Sequence, residues 1–160
     1  MREIVADALA MSEKAMDELK IFGADTLSAM GLPFADDGVR AGFPSPAQDY
    51  MENSIDLNHD LVRHPESTFY ARVEGDSMNG AGVFEGDLLV VDKAVQPVTG
   101  DMAVCVLNGE FTVKFVDVVP DGVRLRPAND AYEPIRVEEG DSFEVWGVVT
   151  YVIHPVLRRR

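Results

Sequence analysis

The sequence predicts a mainly β fold preceded by an N-terminal arm that combines a helix with an extended segment. From Thr68 onward, short apolar runs rich in β-branched residues alternate with turn signals. Asn108-Gly109 joins two such runs, and this dipeptide is the strongest short-range signal for a β-hairpin. Gly-Asp pairs separate other runs and are interpreted as turns. These pairs are Gly75-Asp76, Gly86-Asp87, Gly100-Asp101 and Gly140-Asp141.

The arm has a different pattern. Residues 2–20 place apolar side chains at helical spacing between charged ones, which predicts a modest amphipathic helix that ends at Gly23. Seven glycines and prolines fall in residues 23–47, and they predict an extended linker with no regular element. The apolar residues of this linker, among them Leu32 and Phe34, favour a segment that lies on a surface.

A short helix is expected at residues 56–63, with Ser54 or Asp56 as its N-cap and Pro65 beyond its end. Six strands then follow. They are expected at residues 68–74, 87–92, 101–107, 110–118, 122–127 and 143–153. Tight turns link the third, fourth and fifth strands, so these form a meander with the fourth strand in its middle.

Composition limits the classes of function. The chain of 160 residues has a net charge of −14, and neither its first 41 residues nor the remainder is basic. No part therefore matches the positive surface that neutralises nucleic-acid phosphates, and Arg158–Arg160 is interpreted as a solvated tail. The single cysteine, Cys105, excludes an internal disulfide, and no apolar run resembles a membrane span or a signal peptide. A cytoplasmic protein is expected.

Ser77 is the first candidate for chemistry. It follows the first expected strand of the β region on a glycine-rich turn, where a nucleophile at a strand end can reach a substrate. Most Gly-Asp-Ser triplets are simple turns, and the chain contains a second one at residues 140–142. The two triplets differ because Lys114 follows Ser77 by 37 residues, inside a strand, whereas no lysine follows Ser142.

Lys114 lies in the central strand of the meander. Strand alternation puts it on one face with Thr112, Val116 and Val118, so its amine has mostly apolar neighbours. Burial lowers the pKa of an amine, and a neutral amine can accept the proton of a serine hydroxyl without a histidine. The alternative is a lysine whose stem lies along the sheet while its charge reaches water. On the strand pattern alone, this alternative is favoured.

Other residues fit a chemical role less well. His59, His64 and His154 are scattered, without the spacing of metal ligands or of a triad. Cys105 alternates within an apolar strand and is interpreted as a small buried side chain, and Trp146 is interpreted as a core residue. No phosphate-binding loop or dinucleotide fingerprint occurs, so neither a cofactor nor a metal is expected.

Three motifs together resemble the LexA/UmuD family of self-cleaving serine peptidases, with the UmuD branch as the best match. They are Gly75-Asp76-Ser77-Met78, the run Gly86–Asp92 and the run Gly109–Lys114. Shorter likenesses occur at residues 42–47, 55–58 and 64–65, so the resemblance covers residues 33 to about 155.

The resemblance implies the LexA/UmuD peptidase β fold, with curved antiparallel sheets and an open catalytic cleft. It implies Ser77 as the nucleophile and Lys114 as the general base. Backbone N–H groups of Ser77 and Met78 at the turn would stabilise the oxyanion. Members of the family cut their own arm at an Ala-Gly or Cys-Gly bond, which corresponds here to Ala41-Gly42 in the extended linker.

The implied division is an arm of residues 1–41 and a peptidase domain of residues 42–160. In the family, the RecA–single-stranded-DNA filament stimulates this cut during the SOS response. The shortened UmuD form then dimerises and joins a Y-family polymerase for synthesis past DNA lesions. The implied partners are a second copy, a UmuC-like polymerase and the RecA filament, with no direct nucleic-acid or membrane contact. Residues 1–32 have no counterpart in the family, and they are too few and too acidic for a helix-turn-helix domain.

Three other interpretations are open. A non-catalytic dimeric interaction module would keep the fold without using the cleft, although the Ser77 and Lys114 pair with a plausible cut site argues against it. A LexA-type repressor C-terminal domain is disfavoured by the missing DNA-binding domain. A signal peptidase shares the serine–lysine chemistry but requires a membrane anchor.

Overall fold

The computed structural model describes residues 20–23, 29–34 and 53–157, and strands dominate these residues. The predicted mainly β fold is therefore confirmed. Ten strands occur among the described residues. They are β1 (Lys20–Gly23), β2 (Gly31–Phe34), β3 (Asn53–Asp56), β4 (Thr68–Arg72), β5 (Leu88–Asp92), β6 (Asp101–Leu107), β7 (Glu110–Val119), β8 (Gly122–Arg126), β9 (Ile135–Arg136) and β10 (Phe143–Ile153).

Eight of these strands form one sheet in the order β1-β4-β5-β10-β6-β7-β8-β9, and β2 pairs separately with β3. All of the pairs are antiparallel. The six strands expected from the sequence are all present, with ends that differ by at most two residues. The expected meander is present as well, because β7 lies between β6 and β8.

Positive φ angles mark the turns between the strands. Asn108 and Gly109 have φ values of 52° and 85°, as a type I′ hairpin requires. The glycines of the four Gly-Asp pairs have φ values between 81° and 104°. A residue with a Cβ adopts this conformation only at a cost, so the interpretation of these pairs as turns is confirmed.

The segment predicted as an unstructured linker contains a strand. Gly31–Phe34 lies within residues 23–47, yet it forms β2 and pairs in register with Asn53–Asp56. The prediction was wrong because strand pairing stabilises a segment whose local sequence disfavours it, and because an edge strand tolerates a proline. The helix predicted over residues 2–20 lies outside the described residues except for Lys20, which begins β1 instead of ending a helix.

The predicted short helix is confirmed in shortened form. Helix α1 spans Leu57–Leu61, and the Asn58 N–H donates a 3.0 Å hydrogen bond to the Asp56 carboxylate. Asp56, rather than Ser54, is therefore the N-cap. Within the described part of the chain, no helix has the length and apolar character needed to cross a bilayer.

Apolar side chains cover both faces of the β6–β7 pair. Alternation along β6 sends Ala103 and Cys105 to one face and Val104 to the other, and all three are fully buried. The face of Val104 packs with β4, β5 and the turn that carries Ser77, and half-buried Trp146 lies against it as expected. The opposite face packs with β8. The central strand and the Ser77 turn are thus held by one continuous packing arrangement.

Strand β7 is paired along only half of its second edge. Strand β6 pairs with Glu110–Val116, whereas β8 pairs only with Phe115–Val119. No described strand lies on the second edge of residues 111–114. This open edge faces the cleft that contains Ser77.

Candidate active site

Ser77 stands on the turn between β4 and β5. The base of this turn is closed by two hydrogen bonds of 2.9 Å, from the Val73 N–H to the Asp87 carbonyl and from the Gly86 N–H to the Val73 carbonyl. Met78, the next residue after Ser77, is only 3% exposed and packs in the core. The closed base and the buried methionine fix the backbone, while Ser77 itself is partly exposed.

Lys114 brings its amine to this turn from the middle of β7. Its Nζ lies 2.9 Å from the Oγ of Ser77, so the two residues singled out from the sequence are in direct contact. The same Nζ donates to Thr112 Oγ1 at 2.8 Å and to the Val113 carbonyl at 3.0 Å. Among the described residues, the hydrogen-bond partners of the amine are therefore neutral oxygens, with no carboxylate.

Burial lowers the pKa of the Lys114 amine below its usual range. The strand register places Lys114 opposite Ala103, and Thr112 opposite Cys105, so fully buried side chains surround the lysine stem. A thiolate at Cys105 would raise the pKa of the amine, but burial raises the pKa of this thiol to about 12. The thiol is uncharged at neutral pH, so loss of solvation decides the direction of the Lys114 shift. The snorkelling alternative is wrong for Lys114, which is only 7% exposed.

Ser77 and Lys114 line one open cleft of about 270 Å³. Residues 73–78 supply one wall, residues 111–114 supply the other, and Tyr132 completes the lining. Within the described residues, the N–H groups of Ser77 and Met78 donate to no protein acceptor. Both groups are therefore available to an oxygen atom that enters the cleft.

The loop after β8 supports the Ser77 turn from the outside. The Ala128 N–H donates to the Ser77 carbonyl at 2.9 Å, and the Gly80 N–H donates to the Ala128 carbonyl at 2.6 Å. A Cβ on Gly80 would lie 2.3 Å from the Ala128 oxygen. Glycine is therefore required at position 80 for this close approach of two backbones.

Two side chains of the same loop bind Asp76. Asn129 Nδ2 donates to the Asp76 carbonyl at 2.9 Å, and the Tyr132 hydroxyl donates to the Asp76 carboxylate at 2.5 Å. The hydrogen bond to this carboxylate raises the pKa of the Tyr132 hydroxyl, which keeps it a donor. The turn is thus held by four hydrogen bonds from one short loop.

The sequence analysis missed Thr112, Asn129 and Tyr132 as site residues. A signal for Thr112 was present, because it is two positions from Lys114 and shares its strand face. No comparable signal marks Asn129 and Tyr132, which lie 53 and 56 positions from their partner Asp76. Only the packing of the β8 loop against the turn brings them together.

The second Gly-Asp-Ser triplet, residues 140–142, has a structural role. The Asp141 carboxylate accepts from the Glu138 N–H at 2.8 Å and from Asn108 Nδ2 at 2.9 Å. The Ser142 N–H donates to Asn108 Oδ1 at 3.0 Å. This triplet therefore braces the β6–β7 hairpin, as a turn and not as a nucleophile.

The histidines lie outside the cleft. His64 Nδ1 is 2.6 Å from the Asp92 carboxylate, His154 Nδ1 is 2.5 Å from the Asp87 carboxylate, and His59 is exposed. None of them lines the cleft beside Ser77. Among residues 20–23, 29–34 and 53–157, no three potential metal ligands cluster together.

The remaining predicted site residues are Ala41 and Gly42, and they lie outside the described residues. The cleavage position therefore stays a prediction. The catalytic roles assigned to Ser77, Lys114 and the backbone of Met78 also stay predictions, because a contact alone does not demonstrate a reaction.

The fold and the cleft define a class of protein. Residues 33–150 match the family model of Peptidase S24-like proteins, and the chain belongs to that family. The resemblance to the LexA/UmuD peptidases, carried by the motifs around Ser77 and Lys114, is thereby confirmed.

Three similar proteins extend this likeness over most of the chain. Protein SamA of Salmonella typhimurium is 47% identical over 114 residues, which cover 71% of this chain and 79% of that protein. Protein ImpA of Escherichia coli is 46% identical over 122 residues, which cover 76% and 83% of the two chains. Protein MucA of Escherichia coli is 38% identical over 131 residues, which cover 80% and 89%. The similarity is therefore not limited to the short motifs.

The lowered pKa of Lys114 predicts a pH dependence of stability. Between its folded and unfolded pKa values, the unfolded chain binds more protons than the folded chain, so the free energy of unfolding rises with pH up to the usual lysine range of ~10.4. A chain with Lys114→Met lacks this contribution to the increase of its free energy of unfolding with pH. In a Ser77→Ala background, the Lys114→Met variant is expected to have the higher free energy of unfolding at neutral pH. This difference in free energy between the variants is expected to narrow as pH increases.

Urea unfolding at a series of pH values checks this expectation. Lys93→Met is the control for loss of an exposed lysine outside the cleft, although it also removes an ammonium that lies 4.8 Å from the centre of the Trp146 ring. Parallel stability curves for Ser77→Ala with and without Lys114→Met would show that folding does not shift the pKa of Lys114.

Proposed function

We propose that the chain is a serine–lysine endopeptidase that cuts its own arm between Ala41 and Gly42. The observation that carries the proposal is the 2.9 Å contact between Lys114 Nζ and Ser77 Oγ, in an open cleft, with burial favouring the neutral amine. Membership of the Peptidase S24-like family supports it.

The hydrogen bonds of Lys114 suit the role of a general base. A neutral amine has two N–H groups and one lone pair. If Thr112 Oγ1 and the Val113 carbonyl accept the two N–H groups, the lone pair is directed at the Ser77 hydroxyl. Proton transfer from this hydroxyl then requires no rearrangement of the amine.

The first chemical step forms an ester. As Lys114 Nζ takes the proton, Ser77 Oγ bonds to the Ala41 carbonyl carbon, and the carbonyl oxygen becomes negatively charged. The N–H groups of Ser77 and Met78, which have no acceptor among the described residues, can donate to this oxygen. Collapse of the intermediate breaks the bond between Ala41 and Gly42, and the Lys114 ammonium returns its proton to the leaving Gly42 amine.

The second step releases the arm. Lys114, neutral again, takes a proton from water, whose oxygen attacks the Ala41 ester carbonyl. The Ser77 oxygen leaves with the proton held by Lys114. The products are residues 1–41 with a new carboxyl terminus, and residues 42–160 with a new amino terminus.

The open edge of β7 supplies a binding surface for the cut segment. The backbone of residues 111–114 has one edge free of any described strand, and it forms a wall of the cleft beside Lys114. An extended segment can pair with this edge as an added strand and bring its carbonyl to Ser77. A small residue such as Ala41 suits a shallow cleft. Because the segment is tethered, intramolecular geometry lowers the barrier by several kcal/mol relative to a free peptide.

We further propose that this cut regulates translesion synthesis in the SOS response. The family and the UmuD-like motifs support this role. The proposed trigger is the RecA–single-stranded-DNA filament, and the proposed partners of the shortened chain are a second copy and a UmuC-like Y-family polymerase in the cytoplasm. The net charge of −14 fits a protein that leaves contact with DNA to its partners.

Ser77→Ala and Lys114→Ala are each expected to abolish self-cleavage. The first removes the attacking oxygen and the second removes the base. Purified chain incubated at alkaline pH and weighed by mass spectrometry should yield fragments 1–41 and 42–160, faster as pH rises because more Lys114 is neutral. Ser142→Ala, in the second Gly-Asp-Ser triplet, is the matched control and should cut normally. Fragments from either Ser77→Ala or Lys114→Ala would refute the proposed pair, and an intact parent chain would favour the interaction module.

Thr112→Val tests whether the hydrogen bond to Thr112 orients the Lys114 lone pair toward the Ser77 hydroxyl. Loss of one acceptor, worth about 1 kcal/mol, is expected to slow cleavage about fivefold at the pH plateau. The ammonium also loses an acceptor, so the pKa of Lys114 falls and the midpoint of the pH–rate profile should move to lower pH. Thr99→Val, whose hydroxyl instead accepts from the Val118 N–H, is the control. A slower rate with an unmoved midpoint would indicate a structural effect only.

A further inference from the structure

The outermost strand of the main sheet belongs to the arm. Strand β1 pairs with β4 over four residues, from Lys20 opposite Arg72 to Gly23 opposite Phe69. Its residues precede the segment that matches the Peptidase S24-like family, which begins at residue 33. The strand that covers this edge of the sheet is therefore contributed by an extension outside the family match.

Strand β1 makes a short pairing at one edge of the main sheet. It is four residues long, and Phe22 is 51% exposed. Strand β2, the other described strand before the predicted cut, also pairs over four residues, and its Leu32 is 51% exposed. Pairings of only four residues have few backbone hydrogen bonds, and the two-stranded β2–β3 pairing is of a kind that is marginal in water by itself.

Covalent connection to residues 42–160 keeps these weak pairings formed. A covalent tether raises the effective concentration of a strand at its partner, to the order of millimolar for short linkers, and so can hold a strand that would not stay bound as a free peptide. After a cut at Ala41-Gly42 the arm is a separate chain with two such pairings. We expect a fragment held by these two four-residue pairings to dissociate at micromolar protein concentration.

Loss of β1 would leave one edge of β4 open. The other edge of β4 stays paired with β5 from Thr68 to Arg72. Ala71 is fully buried in the core, so β4 itself remains fixed when β1 leaves. A rigid strand with one row of unpaired N–H and C=O groups is a template for an added strand.

We propose that the cut releases β1 and opens the β4 edge to an extended, non-acidic segment of a partner protein. The inference rests on the proposed cut for its trigger, but not for the properties of the edge. The occupant seen in the structure, Lys20–Gly23, defines the chemistry, since it is extended, mostly apolar and free of acidic residues. The net charge of −14 disfavours an acidic segment in the same place.

The experiment measures whether the β4 edge is paired in a way that does not depend on self-cleavage. In the full Ser77→Ala chain, a recognition sequence for a site-specific protease replaces residues 38–43, and an added protease makes the cut. Hydrogen exchange of the amides of residues 68–72 shows whether the edge of β4 is paired. The probe is a fluorescent peptide of residues 19–24, compared with the same peptide carrying aspartates at positions 21 and 22.

In the uncut chain, the residue 68–72 amides should be protected and the probe should not bind. After the cut, about half of these amides should exchange faster, because alternate N–H groups lose their β1 partner while the others stay paired with β5. The peptide of residues 19–24 should then bind at least about tenfold more tightly than to the uncut chain, and its addition should restore protection. The aspartate peptide should not bind.

Variants of β1 test the same edge without any cut. Ile21→Pro with Phe22→Pro removes backbone donors from β1 and should open the edge of the uncut Ser77→Ala chain. Ile21→Val with Phe22→Tyr keeps strand-forming residues and should leave it closed. The proposal is overturned if residues 68–72 stay protected after the cut, whether by the retained arm or by a second copy. It is also overturned if the probe binds cut and uncut chains equally.

Discussion

The contact between Lys114 Nζ and Ser77 Oγ is the constraint on which the rest of the site depends. An ammonium is costly at a position that is 7% exposed, since its hydrogen-bond acceptors are neutral oxygens. The amine is kept there by the β6–β7 pair, whose register sets buried Ala103 opposite the lysine. The same packing that stabilises the sheet therefore lowers the pKa of the proposed base.

Two separate sets of contacts hold Ser77 at hydrogen-bond distance from this amine. Buried Met78 anchors the turn in the core on one side, and the loop that follows β8 binds Asp76, Ser77 and Gly80 on the other. Because β8 also pairs with the second half of β7, the strand that carries the lysine and the loop that braces the serine belong to one meander. This connection explains how a groove with an open edge can hold two side chains at hydrogen-bond distance.

The sequence predicted the strands of the β region well, but it did not predict the two described strands that precede residue 41. Strands, hairpin and Gly-Asp turns were recognised because their signals are local: alternation, an Asn-Gly dipeptide and glycines with positive φ. Strands β1 and β2 were not recognised, since their stability comes from pairing with β4 and β3 and not from their own residues. Ser77 and Lys114 were found by combining a turn with a strand pattern and a family resemblance, whereas Asn129 and Tyr132 required the tertiary structure.

A titration of the lysine side chains tests the central claim most directly. The chain contains four lysines, so a protein labelled with ¹³C at lysine Cε gives few signals, and Lys114→Arg identifies the one from Lys114. In the Ser77→Ala chain, buried Lys114 should titrate below the usual lysine range of ~10.4. If the Lys114 signal instead titrates within that range, burial does not produce a neutral base, and the account is contradicted.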